Sequence, residues 1–372
     1  SMNLHSREWN DHKYNFLDTP GYFDFDGEVV SAMAAASGTI IVVDGTTDLQ
    51  VGTDKALEIT DEYQTPRFIF VNKIDSEKSD YDKILDQLRE RYGKKIAPFH
   101  VPWGKAEEFK GFINVVDMFA REYNGKECVT VDMPTDMDHI IAPVREMLME
   151  SVAESDEALM EKYFAGEEFT TEEIHKGLRK GVLEGDIIPV LCGSTAKNIG
   201  VHTLLDMIWD YLPSPLDEKD IKESDVFAGQ IFKTIVDPFV GKISFVKIHE
   251  GHLKPESELY NVKKGHKERI PKVFTLVNGE YKEMSEARAG DIVAFTKLQD
   301  SSTGETLSSK SGHDSYDDLV FPKPQMLVAV EPTNKGDEEK ISSGLQRLME
   351  EDPSFTWERN AETKQTVLGV QG

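Results

Sequence analysis

The sequence predicts an α/β domain built on a parallel sheet, then a small all-β barrel, then part of an α+β domain. Three observations carry this prediction. In the first third, continuous apolar runs alternate with helix-forming stretches, the pattern of buried parallel strands covered by helices on both faces. From about residue 226 the helical signal disappears, and short strands punctuated by glycine take over. After Pro322, Lys323 and Pro324, signals for strand, helix, strand and strand follow in order. The chain has 372 residues, which at roughly 150 residues per domain suggests two or three domains.

Each element has its own warrant. Residues 14–17 are a short apolar run that ends in Asp18, Thr19, Pro20 and Gly21. Residues 28–36 are helix-forming, with Val29, Met33 and Ala36 at helical spacing. Residues 39–43 are a β-branched run ending in Asp44 and Gly45, and 53–63 are again helical. Residues 68–71 read as a second buried strand, ending in Asn72, Lys73, Ile74 and Asp75; 81–92 form a charged amphipathic helix. The rhythm then breaks. Residues 98–116 read as strands with turns, 140–164 as a long acidic helix or helix pair, and 171–182 as another helix. Within this block Met147, Leu148, Val152, Leu159 and Met160 form an apolar stripe expected in the core. The rhythm returns with strand 187–191 and helix 201–211, so the block reads as an insertion between two strands of one sheet. Pro213 and Pro215 close the domain, because proline stops helix and sheet alike. Strands 229–236, 242–249, 258–262 and 291–296 belong to the barrel. Strand 326–330, helix 336–350 and strands 356–359 and 366–370 make up the last part. The sequence stops just after an alternating apolar segment, and we expect it to be a piece of a longer polypeptide.

Composition excludes several function classes. Lys plus Arg is 42 and Asp plus Glu is 68, a net charge of −26. That argues against a general nucleic-acid or anionic-membrane binder, which needs a basic surface. The two cysteines, Cys128 and Cys192, are far apart and have no metal-ligand spacing. His12, His100, His139 and His202 show none either. No apolar run of about eighteen residues occurs, so the chain reads as soluble and cytoplasmic.

Three short motifs carry chemistry. Asp18 ends a strand, where a carboxylate can hold magnesium through water. Gly21, with no Cβ, lets a backbone N–H approach a terminal phosphate. In the loop of Asn72, Lys73, Ile74 and Asp75, the Asp can accept hydrogen bonds from the ring N–H and exocyclic amine of guanine. Adenine presents the wrong donors there and leaves that carboxylate unpaired, which is costly. The Lys stem can cover the base, and the Asn can tie loops together. The backbone N–H groups of Gly193, Ser194, Thr195, Ala196 and Lys197 could meet the guanine carbonyl oxygen. All three motifs are expected at the carboxyl ends of strands in one open sheet. Singly, each is also ordinary turn chemistry; the ordered set points to a guanine nucleotide. A Gly-x-x-x-x-Gly-Lys-Ser/Thr phosphate cradle does not occur in these 372 residues and would belong upstream of Ser1.

With these loops in place, the sequence resembles the translational GTPases, specifically elongation factor G and its close paralogues. The likeness covers essentially the whole chain. It includes Tyr211, Leu212, Pro213, Ser214 and Pro215; the run from Asp237 and Pro238 through Gly241 and Lys242; and Lys264, Gly265, His266, Lys267, Glu268 and Arg269. It continues through Ala289, Gly290 and Asp291, then Thr303, Gly304, Glu305, Thr306 and Leu307, then Val330, Glu331 and Pro332, and finally residues 348–353 and 369–372.

The resemblance implies a P-loop GTPase-type parallel sheet over 1–216, lacking its N-terminal strand and phosphate loop, with an inserted subdomain at about 97–186. It implies a β-barrel domain over 217–322 and part of an α+β, ferredoxin-like domain over 323–372. It implies GTP/GDP and Mg2+ as ligands, with Asp18 holding the magnesium through water. The GTP-binding residues would be Asp18, Thr19, Pro20, Gly21, Asn72, Lys73, Asp75, Ser194, Thr195 and Ala196. The implied activity is GTP hydrolysis on the ribosome, coupled to translocation or a related step of translation. The implied partners are ribosomal RNA and ribosomal proteins, with no DNA and no membrane, and the chain is expected to be a cytoplasmic monomer. On this mapping the first switch also lies upstream. Two residues depart from the family pattern. Tyr22 stands where a histidine usually orients the attacking water, and Thr195 stands where alanine is usual. A phenol lacks the two ring nitrogens of imidazole, but it still donates and accepts a hydrogen bond. The basic residues Lys263, Lys264, Lys267 and Arg269 are either a solvated turn or, by the resemblance, a contact to ribosomal RNA phosphates. Two alternatives stay open: a non-enzymatic fragment that binds the ribosome but not nucleotide, and a ribosomal-protection protein of the same superfamily.

Overall fold

A computed structural model describes residues 2–218, 221–277, 279–332, 336, 338–360 and 365–372. These residues form two compact units. One comprises Ser1–Ala36 with Pro215–Gly372, and the other is Ser37–Ser214.

The first unit begins with an antiparallel hairpin of β1 (Asn3–Trp9) and β2 (His12–Asp18), paired from Asn3 opposite Asp18 to Trp9 opposite His12. The turn residues Asn10 and Asp11 both have positive φ, 47° and 61°. That is the twist a two-residue hairpin turn needs, and these residue types tolerate it. The apolar run ending at Asp18 is therefore one arm of a hairpin whose other arm is polar enough to escape an apolar-run search. Helix α1 (Asp26–Met33) follows.

The second unit is built on a four-stranded parallel sheet in the order β3, β4, β10, β5. Strand β3 (Thr39–Asp44) leads to helix α2 (Val51–Glu62), β4 (Arg67–Asn72), helix α3 (Tyr81–Tyr92) and β5 (Ile96–Pro98). Five of the six residues of β4 are buried, as a strand covered on both faces requires. Helix α3 is started by Asp80, whose carboxylate accepts from the Lys83 amide at 3.1 Å. It buries Tyr81, Ile84, Leu85 and Leu88 on one face. The chain then leaves the sheet. Strands β6 (His100–Trp103), β7 (Gly111–Asn114), β8 (Phe119–Tyr123) and β9 (Cys128–Val131) form a separate antiparallel meander. The acidic stretch is a helix pair, α4 (Asp138–Glu154) and α5 (Glu157–Phe164), divided where Asp156 caps α5 by accepting from the Ala158 amide at 2.9 Å. In the apolar stripe, Leu148 and Val152 are fully buried, and Met147 and Leu159 pack against the same core. Helix α6 (Thr171–Glu184) carries a reciprocal capping box between Thr170 and Glu173 and ends on Gly185 in the left-handed region. Strand β10 (Ile188–Cys192), all buried, returns between β4 and β5, and helix α7 (Val201–Tyr211) closes the unit. The block between β5 and β10 thus separates two hydrogen-bonded neighbours of one sheet.

The first unit resumes as an all-β domain. Strands β11 (Ala228–Asp237), β12 (Gly241–Glu250), β13 (His252–Leu253), β14 (Ser257–Asn261), β15 (Lys267–Ile270), β16 (Val273–Val277), β17 (Glu280–Met284), β18 (Ala287–Arg288), β19 (Ile292–Thr296) and β20 (Thr306–Ser308) follow without a helix. Eight of them make one antiparallel barrel-type sheet in the order β15, β14, β20, β11, β12, β19, β16, β17, while β13 pairs with β18. Its core includes Phe227, Ile231, Val246, Ile248, Leu259 and Phe295. The final part holds β21 (Met326–Val330), helix α8 (Glu338–Glu351), β22 (Thr356–Arg359) and β23 (Thr366–Val370), with β23 between β21 and β22. The expected helix start at 336 touches residue 337, which lies outside the described residues.

Candidate functional site

Two of the three motif loops follow adjacent strands of the parallel sheet and are bonded to each other. The loop after β4 and the loop after β10 are joined along their backbones: the Gly193 amide donates to the Val71 carbonyl at 3.0 Å, and the Ile74 amide donates to the Gly193 carbonyl at 3.2 Å. Gly193 is required by this close approach, because a Cβ there would sit 2.2 Å from the Ile199 carbonyl oxygen.

Asn72 is the hub. Its Oδ1 accepts from the Lys73 amide at 2.8 Å and the Thr195 amide at 3.0 Å, and its Nδ2 donates to Thr195 Oγ1 at 3.0 Å. The last bond uses the hydroxyl that alanine would lack. Thr195 thus adds a contact to Asn72. Lys73 adopts φ 64°, a conformation that costs a non-glycine residue roughly 1–2 kcal/mol and is held by the surrounding bonds. Its ammonium donates to Asp44 Oδ2 at 2.6 Å. Asp44 also accepts from the Thr46 amide at 2.9 Å and from Thr46 Oγ1 at 2.6 Å. The Lys73 ammonium, with Thr46, lowers the Asp44 carboxyl to about 2. Asp75, 18% exposed, lies 3.5 Å from Lys197 Nζ through Oδ2.

The four amides that follow Gly193 in the second loop have different fates. The Ser194 amide donates to the Ile199 carbonyl at 3.0 Å, the Thr195 amide serves Asn72, and the Lys197 amide donates to Ser194 Oγ at 3.3 Å. The exposed Ala196 amide has no partner among the described residues. Ser194 is fully buried and shapes the turn through its backbone and hydroxyl. Asp44 belongs to this polar cluster though motif reading did not count it, and Lys197, read there only for its backbone N–H, joins it through its side chain. The available signal was a carboxylate at the carboxyl end of β3 and a cation beside the short Gly193 loop.

The third loop belongs to the other compact unit. Asp18 does end a strand, but β2 pairs with β1 in a two-stranded antiparallel sheet and is not a member of the parallel sheet. The expectation of three loops on one sheet edge is corrected to two. The physical reason is pairing: all seven residues of β2 are in register with β1. Thr19 and Pro20 are half-buried, whereas Gly21 has nothing within 4 Å of a hypothetical Cβ and Tyr22 is 78% exposed. Asp18 is a lone exposed carboxylate, and no group of three or more His, Cys, Asp or Glu is placed to hold a metal among the described residues. This donor set fits a magnesium ion that keeps most of its waters and does not fit a dehydrated transition metal.

The remaining expectations resolve simply. Lys263, Lys264, Lys267 and Arg269 flank the turn between β14 and β15. Each has an acidic partner: Asp318, Asp300 with Glu305, Glu258 and Glu256 in turn. Both cysteines are free thiols. Among the described residues no helix is long and apolar enough to cross a membrane.

A nucleotide-type sheet with this loop pair, followed by a β domain and a βαββ segment, defines a class, and sequence comparison identifies it. The Elongation factor Tu GTP binding domain model matches residues 1–214, the Elongation factor G domain 2 model matches 226–310, and the Elongation Factor G, domain III model matches 321–372. The chain belongs to the translational GTPases and is elongation factor G-like. A crystal structure of a protein from Thermus thermophilus is similar over 100% of this chain at 30% identity with a TM-score of 0.89. This chain spans 56% of the length of that one.

Proposed function

We propose that this chain binds guanine nucleotide through the loops after β4 and β10 and acts on the ribosome as a GTPase of the elongation factor G type. The observation that supports this reading is the Asn72 carboxamide, whose three hydrogen bonds hold the Asp75 loop against the Ala196 loop. Asp75 accepts from the ring N–H and amine of guanine, displacing the Lys197 contact. The free Ala196 amide donates to the guanine carbonyl oxygen, with Ser194 and Thr195 fixing its direction. The Lys73 stem covers the base while its ammonium stays on Asp44. Asp18 holds magnesium through water, Thr19 and Pro20 set the course of that loop, and Gly21 brings its amide to the terminal phosphate. Tyr22 sits beside the attacking water, able to donate and accept one hydrogen bond. Bound GTP supplies the phosphoanhydride and, with magnesium, most of the charge chemistry; the residues of this chain position and select. The domains are assigned as 1–216 with an insertion at about 97–186, then 217–322 and 323–372.

The test is GDP binding to this chain with ATP as competitor. The expected result is GDP binding that excess ATP does not displace. A second reading is a ribosome-binding protein that does not hold nucleotide. No GDP binding, together with retained binding to ribosomes, would establish that reading instead.

A further inference from the structure

In the first unit one buried polar junction joins three elements that are distant in sequence. The Lys233 side chain, on β11, is 5% exposed. Its ammonium donates to Glu28 Oε1 on α1 at 2.6 Å and to the carbonyl of Glu351, the last residue of α8, at 3.1 Å. The second oxygen of Glu28 accepts from the Met2 amide at 2.8 Å. The Glu351 carboxylate turns to the barrel and accepts from the Val236 amide of β11 at 2.6 Å. Next to Glu28, Gly27 leaves no spare room: a Cβ there would lie 3.1 Å from both Asp352 Oδ1 and Ser354 Oγ. Helix α1 therefore rests directly on the residues that follow α8.

We propose that Lys233 is a positioning residue for the loop of Asp18, Gly21 and Tyr22. It fixes α1 through Glu28, and it ties α1 to the end of α8 through the Glu351 carbonyl. The inference rests on the reading of that loop as the phosphate-sensing one. The physical argument is connectivity. Residues 23–25 form a short 3-10 turn that runs directly into α1, so the loop's C-terminal anchor is α1 itself. A buried ammonium cannot be left without its carboxylate, so α1, β11 and the end of α8 move together or the pair breaks. A shift in the loop is then transmitted to the barrel and to α8, and a shift in α8 returns to the loop. An apolar contact of the same area would tolerate sliding; a buried, bonded pair has one arrangement.

The experiment is amide hydrogen exchange on the whole chain with three variants: Lys233→Met, Glu28→Gln, and the double change Glu28→Leu with Lys233→Met. In the single variants, exchange should rise about tenfold or more in both α1 and α8. The double variant restores an apolar match and recovers thermal stability, because replacing both partners of a buried pair is tolerated where removing one is not. Even so, residues 19–25 should exchange faster in it than in the wild type, and α1 and α8 should no longer respond together. Faster exchange confined to β11, or a double variant with wild-type exchange at 19–25, would overturn the proposal and leave Lys233 a packing residue. The readout needs no nucleotide. Failure of the junction therefore appears in these exchange rates, and failure of the functional reading appears separately as absent GDP binding by the wild type.

Discussion

The loop after β4 and the loop after β2 each carry a four-residue motif at the end of a strand, yet the fold treats them in opposite ways. In the first, Asn72 makes three hydrogen bonds, Lys73 is held at positive φ, and two backbone bonds join the loop to its neighbour. In the second, Gly21 stands in open space and Tyr22 is 78% exposed. The difference teaches how rigidity is distributed. Reading a base requires donors and acceptors already in place, because an unpaired buried polar group is what rejects the wrong base. On the proposed reading the loop after β2 follows a phosphate and must be free to rearrange, and its neighbours on either side are β2 and α1. Rigidity at the Asn72 loop comes from hydrogen bonds and not from burial, since Lys73 and Thr195 are both exposed.

The largest test of this contrast is Asp75→Asn. Losing charge-assisted acceptance should weaken GDP binding by about a hundredfold or more and move preference toward xanthine nucleotides. Unchanged GDP affinity in a calorimetric titration would remove Asp75 from base recognition.

Next comes a buried ring in the same unit whose two nitrogens have no hydrogen-bond partner among the described residues. His100 is 1% exposed, stacks on Phe112 at 4.5 Å, and neither ring nitrogen has a hydrogen bond. Burial lowers its pKa to about 3. The unfolded chain takes up this proton near pH 6.5, so between about 6.5 and 3 the unfolded state binds more protons and stability is lost as pH falls. Relative to wild type, His100→Phe should gain about 2 kcal/mol between pH 8 and pH 5 in denaturant titrations. Parallel pH curves for the two proteins would show that the ring takes up its proton in the fold as readily as in the unfolded chain.

Asn72→Ala should cost about 1–2 kcal/mol of stability, seen by chemical unfolding, because it releases both loops at once. It should also loosen the exchange of residues 193–199, which a purely local residue would leave alone. The smallest effect belongs to the freer loop. Tyr22→His should change unfolding stability by less than about 0.5 kcal/mol, as expected of an exposed residue. A larger drop would mean that Tyr22 is held in place and would collapse the contrast.

Much of the fold was legible because it is locally encoded. The continuous apolar runs of β4 and β10 and the 3.6-residue face of α3 are within a few residues of their cause, whereas the break at Asp156 that divides the acidic stretch was left open. The hairpin partner β1 was not legible, since His5, Arg7 and Glu8 give it no apolar run, and only the Asn10 and Asp11 turn marks it. In the candidate site, Asn72, Lys73, Asp75 and the Gly193 loop were readable as types at fixed spacing. What each one touches was not. The Lys73 ammonium goes to Asp44, 29 residues away, and the Ala196 amide of the second loop has no partner among the described residues.

The sequence alone determined the element types, the order of the motifs and membership of the translational GTPases, because propensity, periodicity and motif spacing are properties of neighbours along the chain. Tertiary structure alone decided that β2 pairs with β1 outside the parallel sheet, that Thr195 reinforces Asn72, and that Glu28 meets Lys233 across 205 residues of separation. Those pairings depend on which surfaces the packed elements bring together. No local window holds both partners, and burial raises the cost of leaving either one alone.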